Sequence, residues 1–116
     1  MITDQTIARI RRFSDERDWH QFHTPANLAK SIAIEAAELL ECFQWDEENF
    51  DLKHTAEELA DVMNYCLQMC DRLDLDPDAI LNEKCTQNEE KYPVDQAKGS
   101  AEKYTVYIRQ KASKVQ

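Results

Sequence analysis

Residues 35–61 read EAAELLECFQWDEENFDLKHTAEELAD, opening on Glu35-Ala36-Ala37-Glu38 and closing on Glu58-Leu59-Ala60-Asp61. Each end sets two carboxylates three residues apart within an apolar helical pattern, which puts both on one helix face, a turn apart. Two such helices laid against each other would gather four carboxylates in one place. Like charges brought that close repel unless a cation sits among them. The stretch therefore predicts an all-α fold built around a carboxylate metal site.

Outward from this stretch, helical signals continue in both directions. The first helix is expected over residues 3–19, capped by Thr3 or Asp4, with Ile7, Ile10 and Phe13 at helical spacing. Arg9, Arg11 and Arg12 then face solvent or a partner. Thr24-Pro25 reads as an N-cap followed by proline at the first helical position, so a second helix should run from Pro25 to about Phe43. Its apolar spine is Leu28, Ile32, Leu39 and Phe43, and Glu35 and Glu38 stand among these apolar residues, a costly place for an unpaired charge. A polar connection carries Trp45 and Phe50. A third helix spans about Lys53 to Leu73, with Glu58, Asp61 and Tyr65 along one face. Asp76-Pro77-Asp78 starts a fourth, which runs to about Lys91 with Ile80 and Leu81 toward the core and Lys84, Asn88 and Tyr92 on one stripe. Tyr104, Val106 and Ile108 carry only a faint alternation. One domain over 1–110 is expected, with 111–116 a tail.

Composition narrows the function. With 116 residues, one Gly and three Pro, the chain has few turn-forming positions for a many-stranded β fold. The hydrophobic fraction is 42% and the charged fraction 32%, as suits a helical domain with solvated faces. A net charge of −9 argues against binding a nucleic-acid polymer, which needs a basic footprint. No apolar run is long enough to span a membrane, and no basic-then-apolar leader pattern is seen, so a cytoplasmic protein is expected. Cys42, Cys66, Cys70 and Cys85 lack Cys-x-x-Cys spacing and read as small buried hydrophobes.

An all-carboxylate set selects a hard cation, Mg²⁺ or alternatively Mn²⁺, over zinc, which prefers Cys and His. A di-iron bundle would need Glu-x-x-His, and no glutamate here has His three residues later. Mg²⁺ held this way grips phosphate oxygens and positions an attacking water, whose proton a neighbouring carboxylate can take; Glu35 and Glu38 are the candidates for that base. Lys84, Asn88, Lys98 and Lys103 could bind further phosphate oxygens. Trp19, Phe22, Trp45 and Tyr65 could wall a pocket for a flat base. His20 and His23 could pair on a metal, although His-x-x-His in a turn more often hydrogen-bonds or faces solvent, and His54 stands one turn before Glu58.

Glu35-x-x-Glu38 followed by Glu58-x-x-Asp61 resembles the metal-binding signature of the MazG-like nucleotide pyrophosphohydrolases. Arg17-Asp18-Trp19, Gln21-Phe22-His23, Pro25, Asn27-Leu28, Phe43-Gln44-Trp45, Tyr92-Pro93-Val94, Lys98-Gly99-Ser100 and Lys103-Tyr104 are similar to that family's dCTP pyrophosphatase branch. The likeness runs over about residues 10–105. It implies an all-α bundle of four to five helices completed by dimerisation, as a homodimer or homotetramer. It implies hydrolysis of a nucleoside triphosphate, dCTP-like, to monophosphate and pyrophosphate with Mg²⁺, in clean-up of the nucleotide pool. Metal binding falls to Glu35, Glu38, Glu58 and Asp61. Trp19, Trp45 and the turn around His23 would line the base pocket, while Tyr65, Lys84 and Asn88 would sit near the sugar or phosphates. Related enzymes acting on dUTP or phosphoribosyl-ATP, and a non-catalytic helical oligomeric module, are the alternatives.

Overall fold

The computed structural model describes residues 2–100, and these contain five α-helices, one 3₁₀ turn and no strand. The helices are α1 (Asp4–Glu16), α2 (Pro25–Glu41), α3 (Leu52–Arg72), α4 (Pro77–Lys91) and α5 (Val94–Ala97), with the 3₁₀ turn at His20–Phe22 between α1 and α2. The all-α expectation holds. Lys103, the Tyr104–Ile108 alternation and the tail at 111–116 lie outside the described residues.

Local chemistry fixes most helix starts. Thr3 caps α1, its hydroxyl accepting the Thr6 N–H at 3.2 Å, and Thr24 caps α2 by accepting the Asn27 N–H at 3.1 Å. Each satisfies one of the amides that a first helical turn leaves without an internal partner. Asp51 does the same for α3, its carboxylate taking the N–H groups of Lys53 and His54.

The helix ends differ from the sequence expectation. α1 stops at Glu16, short of residue 19, because Asp18 turns into the left-handed region at φ 54°. The Trp19 N–H then reaches back to the Ser14 carbonyl at 3.0 Å, and that of Asp18 to Asp15 at 3.1 Å. This pair of bonds is a Schellman cap. α3 ends the same way, with Asp74 at φ 55° and the Leu75 N–H on the Cys70 carbonyl at 2.8 Å. α2 closes at Glu41 and not Phe43, since the Cys42 and Phe43 amides bond three residues back, to Leu39 and Leu40. Such bonds tighten a final turn beyond α geometry.

The chain forms two compact units, Met1–Asp76 and one beginning at Pro77. In the first, α2 and α3 pack closely as a helical hairpin joined by residues 42–51, and α1 lies against α3. Within the connection, Phe43 and Phe50 meet at 4.8 Å between ring centroids, and Asp46 accepts the N–H groups of Glu48 and Asn49. Among the described residues of the first unit only Leu28 and Ser14 are fully buried, while Ile34, Leu40, Leu59 and Met63 stay exposed. Arg11 pairs with Asp71 of α3 at 2.7 Å, binding α1 to α3, so of the two places expected for it, solvent or a partner, it has a partner within the chain.

In the second unit, α4 has almost no amphipathic face. Leu81 is 64% exposed and Ile80 is exposed too, contrary to the core positions expected of them. The helical period alone cannot choose a buried face where apolar residues are this sparse.

Candidate metal centre

The helical hairpin brings Glu35 and Glu38 of α2 against Glu58 and Asp61 of α3. One carboxylate oxygen from each lies within 4.8 Å of all the others. Glu35 and Glu58 are half-buried, and Asp61 is exposed. Oε2 of Glu35 and Oε2 of Glu58 are each buried without a hydrogen-bond partner among the described residues. Withdrawing carboxylate oxygens from water with nothing to receive is costly.

The protonation equilibria carry that cost. The Glu35 pKa is pushed up from 4.5 to about 7: a hydrogen bond to Glu38 contributes most, then burial, then the charges of Glu38, Asp61 and Glu58. Glu58 is raised by burial first and by a hydrogen bond to Glu38 and its charge next, opposed by His54. His54 Nε2 stands 3.7 Å from Glu58 Oε1, so the expected one-turn neighbour of Glu58 is a half-exposed imidazole at the rim of the cluster. Without a cation, this group of acids retains a proton near neutral pH. An all-oxygen donor set with two unpartnered buried oxygens fits a hard divalent cation.

The other expected residues occupy several places. Trp19 meets Phe13 edge-on at 5.5 Å and His23 at 6.3 Å, forming an aromatic corner after α1. Phe22 is 59% exposed and Trp45 89% exposed, so neither is walled in by the described residues. His23 is half-buried, and burial together with nearby His20 lowers its pKa, leaving it neutral at pH 7. His20 bonds to Asp15. That is the hydrogen-bonding role. Tyr65 follows Asp61 by one turn on α3, half-buried. In the second unit, Lys84 on α4 reaches Gln87 at 3.4 Å, Asn88 lies one turn further on, and Lys98 caps α5 before Gly99 at φ 78°.

Two cavities flank α3 in the first unit. One of about 210 Å³ lies beside His23, Ser14 and Gln68; the other, about 470 Å³ and largely apolar, reaches from Phe13 and Met63 to Asp61. Sequence reasoning passed over Asn64 and Gln68 in these walls. Their signal was present, since Asp61, Asn64, Gln68 and Asp71 make a polar row at helical spacing beside the apolar stripe of α3.

The MazG-like family model matches residues 30–106, a span that includes all four clustered acids. The chain belongs to the MazG-like family. It is 39% identical to dCTP pyrophosphatase 1 of Mus musculus, with 88% of this chain and 68% of that protein covered. The Homo sapiens protein of the same name is 37% identical over equal shares. Among solved structures, a pyrophosphatase from Archaeoglobus fulgidus superposes with a TM-score of 0.69 at 39% identity, covering 78% of this chain and 91% of that one. The MazG-like fold thus accounts for the helical hairpin, and none of its described helices is long and apolar enough to cross a membrane.

Proposed function

We propose that this MazG-like protein is a Mg²⁺-dependent nucleoside triphosphate pyrophosphohydrolase that cleaves a dCTP-like deoxynucleotide to the monophosphate and pyrophosphate, in clean-up of the nucleotide pool. The observation that carries this is the convergence of four carboxylates from α2 and α3, two with buried unpartnered oxygens. The names of the relatives, dCTP pyrophosphatase 1 and a pyrophosphatase, support the reaction class.

Glu35, Glu38, Glu58 and Asp61 would hold Mg²⁺, with Mn²⁺ an acceptable substitute. The chemistry a divalent cation supplies there is neutralisation of charge on the triphosphate oxygens and acidification of an attacking water. Glu35 and Glu38 are the carboxylates assigned to take that water's proton as it attacks the α-phosphorus, the pyrophosphate leaving. Glu35 is favoured, its Oε2 being buried without a hydrogen-bond partner among the described residues. Tyr65, Lys84, Asn88, Lys98 and Lys103 are assigned to the sugar and phosphates. Trp19, Phe22, His23 and Trp45 are assigned to the base. The exposure of Trp45 and of Ile34 and Leu40 suits a pocket and a core completed by a second copy, so a homodimer or homotetramer is proposed as the working form.

The test is pyrophosphate release across the natural nucleoside triphosphates, with and without Mg²⁺. A peak at dCTP or a close analogue that vanishes with chelator is expected. Absence of release from every nucleotide would sink the reading.

A further inference from the structure

The large apolar side chains that α3 leaves in water fall on a single repeat. Leu52, Leu59 and Met63, with Leu73 at the C-cap, are 72%, 47%, 45% and 47% exposed. Exposed Ala56 and Cys66 and half-buried Cys70 fill the places between them. Positions 52, 56, 59, 63, 66, 70 and 73 therefore step by four and three residues in turn, and none is charged. A step averaging about 3.5 residues holds an apolar stripe on one side of a helix, and is the spacing by which one helix packs along another. The stripe runs the whole of α3, roughly 30 Å. It also lies apart from the carboxylate cluster. At about 100° per residue, Asp61 stands roughly 160° round the helix from Leu59, and Glu58 about 100°.

The stripe is close to its own reverse. Leucine stands at both ends and Met63 at the middle, with Leu59 and Cys66 on either side of it and Ala56 and Cys70 beyond. Two α3 helices laid antiparallel about Met63 seat Leu52 on Leu73 and the larger Leu59 on the smaller Cys66. Each pairing occurs twice, as a two-fold interface requires. Charge selects the same arrangement. Lys53 follows Leu52 and Asp74 follows Leu73, and neither makes an ion pair among the described residues. The antiparallel register brings Lys53 of each copy near the partner's Asp74, opposite charges at both ends of the seam. A parallel pair would set lysine against lysine and aspartate against aspartate. With a net charge of −9, two copies repel over most of their surface, and an uncharged stripe with complementary ends is where they can meet.

We infer that the α3 stripe over 52–73 is the surface on which a second copy of this chain docks, α3 lying antiparallel to α3 about Met63 with Lys53 and Asp74 paired across each end. This rests on the assembly proposed above and not on the reaction. The seam leaves Glu58 and Asp61 uncovered, and it braces the helix that carries both.

Sedimentation of the wild type is to be compared with that of Leu59→Asp, Met63→Glu, Lys53→Glu, and Lys53→Glu combined with Asp74→Lys, each checked for helix content by circular dichroism. Leu59→Asp and Met63→Glu should halve the mass, dimer to monomer or tetramer to dimer. Lys53→Glu should weaken association a few-fold, as loss of exposed ion pairs does, and adding Asp74→Lys should restore it. In Leu59→Cys, mild oxidation should link position 59 to Cys66 of the partner subunit, as located by peptide mass spectrometry. Within one helix those positions are roughly 10 Å apart, beyond the ~7 Å that a disulfide spans, so this link joins two copies. Undiminished mass in folded Leu59→Asp and Met63→Glu overturns the inference while leaving the assembly and the reaction standing. If either variant loses helix content, the exposed Lys53 pair decides, and absence of rescue by Asp74→Lys overturns it. A link between the two copies of Cys66 marks parallel helices and overturns it as well. A monomeric wild type leaves the stripe to a different partner and overturns both seam and assembly, whatever pyrophosphate release it shows.

Discussion

Glu35 is where sequence and chemistry meet most closely. Its carboxyl is pushed up to about 7 by Glu38, burial and the other acids, against an ordinary value of 4.5. Below the ordinary value, native and unfolded chains both carry the proton, and the fold has no penalty from this group. As pH rises from there to about 7, the unfolded chain releases its proton while the native one keeps it, so stability is lost across that window. The melting temperature of the metal-free protein is therefore expected to fall between about pH 4.5 and 7, a slope that Glu35→Gln makes shallower, the raised Glu58 accounting for the rest. Adding Mg²⁺ should raise the melting temperature, and more so at pH 8 than at pH 5.5, because cation and proton compete for the same oxygens. A Mg²⁺ effect that does not grow with pH would count against the assigned ligands. Glu38→Gln and Asp61→Asn should each lower turnover by on the order of a hundredfold or more, as loss of a catalytic carboxylate does, with helix content unchanged. All four acids were legible in the sequence because charges at i and i+3 inside an apolar pattern need a partner. Gln68 and Asn64 share a polar row with Asp61 and Asp71 that the sequence also shows, but an uncharged amide there looks like ordinary surface until the facing helix is known.

Helix boundaries show where sequence reading works and where it stops. Thr24-Pro25 and Asp76-Pro77 announce helix starts because a capping oxygen and a proline each do a defined job there. The end of α1 gives no such notice. Glycine usually takes the left-handed position of a Schellman cap, and here aspartate does, at Asp18 and again at Asp74. An L-residue in that conformation is strained by roughly 1–2 kcal/mol, less for the short side chain of Asp. Asp74→Gly is accordingly expected to raise stability by up to about 1 kcal/mol, and Asp74→Val to lower it by more, as read from urea midpoints. No gain from the glycine would mean that Asp74 is held by contacts that offset the strain. Thr24→Ala should cost about 1 kcal/mol by removing the cap of the helix that bears Glu35 and Glu38.

At the scale of the whole molecule, one chain buries little. Leu28 alone is a fully buried apolar side chain among the described residues, and Ile34, Leu40, Leu59 and Met63 remain open. A chain of this length commands only a small core, and large apolar residues left in water mark a surface meant to be covered. Sedimentation at micromolar concentration should therefore show a dimer or tetramer; a monomer of 13.6 kDa would contradict the proposed assembly. Leu81 on α4, where the sequence pattern placed core, is exposed as well. A pattern of apolar residues says which positions seek burial, and not whether this chain or another supplies the cover. The reaction itself is tested most directly by hydrolysing dCTP in ¹⁸O-labelled water with Mg²⁺ and locating the label by mass spectrometry. Attack at the α-phosphorus places ¹⁸O in the monophosphate and leaves the pyrophosphate unlabelled, which is the expected result. Label in pyrophosphate or in released orthophosphate would contradict the pyrophosphohydrolase account.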